Sequence, residues 1–373
     1  MPDRPLTILQ LTHQGTGSGS TMVIASLSGE LVRRGHRVLV GCRAGTTLAS
    51  LARGAGLPLV PLDFGRLAPL ARTLDAVMAR ERVDLVNSHD TRDRRALTWL
   101  RWRRRLGRPF VVTRHTMPLT SPAELLAVGL SADRTIAVSH AVARALRRRL
   151  HPAGRLRIVT NGIDVARVDA PPSEDDMAAA RAALGELAGR AVVLVLARRK
   201  DQHVLLRGLA ALERPVVVAC VGIEGDPELR GIERTLPARH RVVYVPFTDR
   251  PLAFCRFAVV SALPSRIEGL SIALLETMAL GLPVVASDAG GNPDLITPGD
   301  TGVLVAPLDP VAWAQALAQV LGDREFAGRI ARRGRELVRR EFTLERTAER
   351  TEVVYREALE RRRSLDGDRA HAR

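Results

Sequence analysis

Two glutamates, Glu268 and Glu276, stand eight positions apart in the stretch EGLSIALLETMALGLPVVASDAGG. From Ile272 to Leu280 this stretch reads as a helix that is apolar on every side except at Glu276 and the small Thr277. A helix apolar all round is buried, and a buried carboxylate needs partners for its oxygens. Two kinds of partner suit Glu276: one of the chain's many arginines, or a ligand that brings hydroxyl donors, such as a ribose diol. Glu268 stands just before the turn, beside Gly269, Leu270 and Ser271. Glycine there lets a ligand approach the backbone, and the free amides of a helix start attract anions.

A second group lies in LARRKDQHVLL, where Arg198, Arg199 and Lys200 fall at a strand-to-helix turn. Cations beside a helix N-terminus suit a diphosphate; a solvated arginine cluster would look the same. The chain has 56 basic against 40 acidic residues, a net charge of +16, and its one lysine is Lys200. Arginine throughout is a compositional habit, so the charge alone is weak evidence for nucleic acid. The lone lysine instead marks a place that prefers a compact point charge to a guanidinium fork.

Other features narrow the chemistry. The loop GTGSGST (15–21) resembles a dinucleotide turn, but the second strand ends in Cys42-Arg43, where a nicotinamide-binding fold would carry an acid. It reads as a close-approach turn, and DAGGNPDLI (288–296) carries a second one. His13, His89, His115 and His140 end predicted strands, a position that is more often structural than catalytic, and His36 lies in a turn. The sequence has no H-E-x-x-H, no nucleophile elbow and no paired-cysteine pattern, and its one D-x-D, Asp366 to Asp368, lies in the tail. No metal site is expected, and Cys42, Cys220 and Cys255 read as reduced, structural thiols.

The elements that must position these residues alternate. Apolar runs at 7–13, 37–43, 58–64, 83–89, 109–115 and 134–140 read as strands separated by helices, and six more follow between 191 and 307. Continuous apolar strands alternating with helices imply parallel sheets covered on both faces, whose ligands sit at the carboxyl ends of strands. The length suits two domains. The expected division is 1–168, 169–341, a helix at 342–363 crossing back to the first domain, and a disordered tail at 364–373. No 18-residue apolar run or signal-peptide core occurs, which predicts a cytoplasmic protein. RRALTWLRWRRRL (94–106) places Arg94, Arg101 and Arg105 opposite Ala96, Trp99 and Leu100. It reads either as a helix in peripheral contact with anionic membrane or as one that buries its apolar side on the sheet.

The set as a whole resembles the family 4 glycosyltransferases. ALPSRIEGLSIALLETMALGLPVVASDAGGNPDLI is similar to that family's E-x7-E signature. GELVRRGHRV, VDLVNSHD, PFVVTRHT, ADRTIAVSHAVARAL, RIVTNGID and GDTGVLVAPLDPVAWAQAL follow in the family's order. The resemblance implies a GT-B fold, α/β with two doubly wound Rossmann-like domains facing a cleft. It also implies metal-independent, retaining transfer from a nucleoside-diphosphate sugar to a hydroxyl. By position it assigns Glu276 to the ribose and Glu268 to the donor sugar near the reacting carbon. Gly269, Leu270 and Ser271 would hold the diphosphate and sugar, and Arg198 (or Arg199) with Lys200 the diphosphate. His115 would face the donor sugar, and Gly19 would form the first-domain glycine turn. Asp294 stands where the family usually has Glu, and Thr248 where Gly is common. The implied partners are a nucleotide-sugar donor and a glycan or lipid-linked acceptor of the cell envelope, with no cofactor and no specific nucleic acid. A sugar-nucleotide epimerase on the same fold and a non-catalytic polyanion-binding protein are the alternatives.

Overall fold

The computed structural model describes residues 4–118 and 120–371, with side chains as far as 365. The chain divides into two compact units, one of residues 1–162 with 344–373 and one of residues 163–343.

In the first unit β1 (Thr7–Leu11), β2 (Arg37–Cys42), β3 (Leu59–Pro61), β4 (Leu85–Ser88), β5 (Phe110–Arg114), β6 (Arg134–Ala137) and β7 (Leu156–Ile158) form one sheet. Its order is β3-β2-β1-β4-β5-β6-β7, and every pair is parallel. In the second unit β8 (Ala191–Leu196), β9 (Val216–Val221), β10 (Arg241–Val245), β11 (Ala258–Leu263), β12 (Val284–Ser287) and β13 (Val303–Val305) are again all parallel. Their order is β10-β9-β8-β11-β12-β13. Both are doubly wound, Rossmann-like sheets. The strand order reverses between β1 and β4 in one and between β8 and β11 in the other, and such switch points open a crevice for ligand at the strands' carboxyl ends.

Side-chain alternation accounts for two cores per sheet. Val193 and Val195 of β8 enter one apolar cluster, while Val192, Leu194 and Leu196 enter another. In the first sheet Leu9, Leu11, Phe110 and Val112 pack with Leu97, Leu100 and Val128 on one face. Ile8, Val111 and Ile136 pack on the other face with Ala348, Tyr355 and Ala358 of the last helix.

Three expectations need correction. The first boundary falls after Gly162, not after 168. The Ile163 amide donates to the Phe342 carbonyl (3.0 Å), and the helix Val165–Asp169 is tied to the second unit through Asp169 to Arg339 and Arg167 to Glu276. The last helix spans Leu344–His371, so it continues into the segment expected to be a disordered tail, of which residues 372 and 373 lie outside the described residues. Asp366 and Asp368 lie on its backbone, beyond the residues whose side chains are described. Finally, the helix Thr91–Trp102 does not present the expected basic face. Arg94 is buried with Ala96, Leu97 and Leu100, Arg101 pairs with Asp133 (2.7 Å), and Arg105 pairs with Asp75 (2.8 Å). Trp99 packs against the core, and only Trp102 of that pair stands out, 66% exposed. No described helix is long and apolar enough to cross a membrane.

Candidate functional site

In the second unit the two motifs meet at the β8/β11 switch point. The turn after β8 carries Arg198–Lys200, and the turn after β11 carries Glu268–Ser271. Lys200 Nζ lies 3.0 Å from Glu268 Oε1 and donates to the Ile267 carbonyl at 3.3 Å. The Lys200 turn is fixed beneath by the fully buried Gln202, whose Oε1 accepts from the Lys200 amide (2.6 Å) and whose Nε2 donates to the Arg198 carbonyl (2.7 Å). Asp201 joins the two turns by accepting from the Arg266 amide (2.9 Å) and guanidinium (3.0 Å).

The two neighbouring arginines separate clearly. Arg199 is committed to Asp226 and Glu228. Arg198 is exposed, and among the described residues its guanidinium makes no hydrogen bond or ion pair. A free cation beside Lys200 is available to an incoming anion; Arg199 is not.

Ser271 caps the helix Ile272–Ala279, its hydroxyl accepting from the Leu274 amide (3.3 Å), so the amides of Ile272 and Ala273 stand ahead of the first helical bond. Glu276 lies in this helix, 7% exposed, with one oxygen against the Arg167 guanidinium. Burial pushes its carboxyl above the ordinary 4.5, against the opposing pull of Arg167. The arginine partner that the sequence allowed is therefore present, and Arg167 donates to Oε1. A carboxylate can accept about four hydrogen bonds, which leaves capacity for a ligand's hydroxyls.

Two glycines hold these turns close. Gly290, in the left-handed region at φ +55°, would place a Cβ 2.1 Å from the Glu268 carbonyl oxygen. Gly222, at φ +107°, would place one 3.1 Å from the Ala197 carbonyl, just before Arg198. Gly290 belongs to the second glycine turn, so its importance was signalled although its contact was not. Arg167 gave no signal of its own.

The first unit gathers a separate polar network at its β1/β4 switch point. His89 Nδ1 and His115 Nε2 are 2.8 Å apart with stacked rings, and His89 Nε2 lies 2.8 Å from Gln10 Oε1. Gln10 Nε2 donates to Tyr355 OH (3.1 Å), which also accepts from Asn87 (2.8 Å). Burial holds both imidazoles neutral, that of His115 at about 4; the nearby Arg94 charge adds to the effect on both, and that of Arg114 to the effect on His115. With Gln10 donating to Tyr355, its oxygen takes the His89 Nε2 proton, and His89 Nδ1 takes that of His115 Nε2. His115 Nδ1, buried without a partner, is then left as an acceptor for a hydroxyl. His13 Nδ1 lies 3.5 Å from Asp93 and 3.6 Å from Asp90, whereas His140 starts a helix elsewhere. Gly19 is not the turn residue expected: it is the first residue of the helix Gly19–Arg33, and the left-handed turn is made by Gly15 at φ +105°. The polar Gln10 within the strand TILQL and one of only two tyrosines were the available signals for this network.

Comparison with known proteins agrees over most of the chain. Residues 17–167 match the family described as Glycosyltransferase Family 4, and residues 190–323 that described as Glycosyl transferases group 1. A D-inositol 3-phosphate glycosyltransferase of Saccharomonospora viridis is 32% identical, covering 94% of this chain and 92% of its own. A GDP-mannose-dependent alpha-(1-6)-phosphatidylinositol monomannoside mannosyltransferase of Mycolicibacterium smegmatis is 33% identical, over 56% of this chain and 58% of its own. Among solved structures, Anabaena HepE in complex with UDP-glucose superposes with a TM-score of 0.78 at 23% identity, covering 97% of this chain and 100% of that one. A glycosyltransferase from Rickettsia africae gives 0.80 at 18%, covering 96% and 99%. These two likenesses establish the fold, GT-B.

Proposed function

Because this chain belongs to the family 4 glycosyltransferases, and is therefore an enzyme of glycosyl transfer, we propose that its donor is a nucleoside-diphosphate sugar. The sugar passes to a hydroxyl of a glycan or lipid-linked acceptor with retention of configuration. The observation that carries this reading is the pairing of Lys200 with Glu268 at the β8/β11 switch point, flanked by the unpaired Arg198. In this reading Arg198, Lys200 and the amides around Gly269, Leu270 and Ser271 receive the diphosphate and stabilise the charge that grows on it as the glycosidic bond breaks. Preorganised charge of this kind is often the largest catalytic contribution, and the reaction needs no metal. Glu268, held by Lys200, sits by the sugar carbon, Glu276 accepts from the ribose hydroxyls, and His115 Nδ1 accepts from a sugar hydroxyl. The departing phosphate takes the acceptor's proton. Support comes from the mannosyltransferase relative whose name includes a GDP-mannose donor and from the UDP-glucose bound to HepE.

The test is a thermal-shift screen of nucleoside-diphosphate sugars. A cognate donor at 100 times its Kd adds about 2.7 kcal/mol to stability, a rise of several degrees. A panel of UDP, GDP, ADP and dTDP sugars that leaves Tm unchanged would refute the donor class.

A further inference from the structure

Two arginines in the first unit are buried without a carboxylate of their own. Arg114 ends β5 and is 6% exposed; among the described residues its guanidinium makes no hydrogen bond or ion pair. Arg94, in the first turn of the helix Thr91–Trp102, is 4% exposed. Among the described residues its guanidinium bonds only to the Thr91 hydroxyl (3.0 Å), and its Nε is unpartnered. The topology brings them together. β4 pairs with β5 in the register Ser88↔Val112, so the helix that starts after β4 begins beside the end of β5. Strand alternation sets Arg114 on the face of Phe110 and Val112, the face covered by the helices Thr91–Trp102 and Pro122–Ser131.

Among the described residues, no acid forms an ion pair with either arginine. Asp93 Oδ2 accepts from the Ser88 hydroxyl and from the His89 and Asp90 amides, while its buried Oδ1, 3.5 Å from His13 Nδ1, accepts no hydrogen bond and lends Arg94 a favourable charge; Asp90 caps its helix through the Thr91 amide, and Glu124 is held through both oxygens by Arg95. An unpaired buried charge is among the least favourable features a fold can keep, and this chain has acids enough elsewhere to have paired it. Guanidinium forks are matched to phosphate oxygens.

We propose that Arg94 and Arg114 form a phosphate-binding subsite that takes the phosphate of the acceptor, one residue away from His115. The acceptor class is thereby a phosphoester that also carries a hydroxyl. This assignment of the phosphate to the acceptor rests on the glycosyl-transfer reading; the anion site itself does not.

The test titrates inorganic phosphate into the full chain by calorimetry, in a Lys200→Ala background so that the second unit's diphosphate cradle does not compete. Phosphate should bind in a salt-dependent manner, and Arg114→Met should weaken it at least tenfold, as should Arg94→Met if the first variant fails to fold. Without phosphate, Arg114→Met should melt no lower than its parent, because it removes an unpaired charge; an arginine serving the fold would lower Tm. Unchanged phosphate affinity in both variants, or no phosphate binding to the parent, overturns the site. Soluble inositol phosphate displacing the phosphate points to a free acceptor, and displacement only by phosphatidylinositol vesicles points to a lipid headgroup. Displacement by neither overturns the acceptor assignment. UDP and GDP are titrated into the chain with Lys200 intact: if no nucleotide binds while arginine-dependent phosphate binding persists, the glycosyl-transfer reading fails and the anion site stands.

Discussion

Replacing Glu276 by Gln separates a ligand-binding carboxylate from a structural one, because the two readings predict opposite signs. The carboxyl is buried and its folded pKa is raised, desolvation outweighing Arg167. An acid shifted in this direction costs stability once ionised. The folded protein gains most below the unfolded pKa and loses that gain as pH rises through the folded value. The neutral isostere removes this cost, and Arg167, with 39% of its side chain exposed, can return to water. Without ligand at pH 7, Glu276→Gln should therefore melt no lower than wild type, and the two should converge near pH 4. Nucleotide binding should move the other way. Hydrogen bonds to a charged acceptor are worth about 1.5–3 kcal/mol and neutral ones about 0.5–1.5. Weakening two ribose contacts from one class to the other therefore loses about 2–3 kcal/mol, a factor of roughly 30 to 150 in Kd. Because these contacts persist from ground state to transition state, KM for the donor should rise by a similar factor with a smaller change in kcat. Differential scanning calorimetry and isothermal titration of the nucleoside diphosphate read both effects. A variant that melts several degrees lower yet binds nucleotide normally would refute the reasoning, since Glu276 would then serve the fold through Arg167.

The neighbouring residues give sharper contrasts. Glu268→Gln should cut kcat tenfold or more while nucleotide affinity stays within a few-fold of wild type; normal turnover would remove Glu268 from the chemistry. Lys200→Ala should weaken binding of a nucleoside diphosphate far more than of the nucleoside, and equal weakening of both would point to a folding effect. Gly290→Ala drives a methyl into the Glu268 carbonyl at a position of positive φ, so it should destabilise by about 1–3 kcal/mol and lower kcat with it. A variant indistinguishable from wild type in urea unfolding and in turnover would contradict that close approach.

Sheet architecture was legible because continuous apolar runs leave little choice of period. The twelve strands expected all form, most of them shorter than the apolar run that announced them, as where the run 83–89 yields β4 at Leu85–Ser88. The strand missed, β7, is three residues long at the sheet edge and only partly buried, too little apolar pattern to register. The boundary error has a similar origin. IVTNGID reads locally as a linker, but Ile163 is held by a backbone bond to Phe342, 179 positions away, which no local pattern can announce. Arg94 misled for another reason: charge assigned it to the solvent side of its helix, and only an unpaired buried guanidinium, which burial statistics disfavour, fits the observed packing. The site's residue types were readable from spacing. Their pairings, Lys200 with Glu268 and Arg167 with Glu276, were not, because each joins segments 68 and 109 positions apart.

The central claim is transfer from a nucleoside-diphosphate sugar with retention. The most direct measurement is time-resolved proton NMR of the cognate donor incubated with the enzyme, following the anomeric signal of the sugar as it is first released to acceptor or to water. Retaining transfer gives release of the nucleoside diphosphate together with a product whose anomeric configuration equals the donor's, both appearing at least tenfold more slowly in Glu268→Gln. A first-formed product of inverted configuration, or a donor left intact under conditions where it binds, would contradict it.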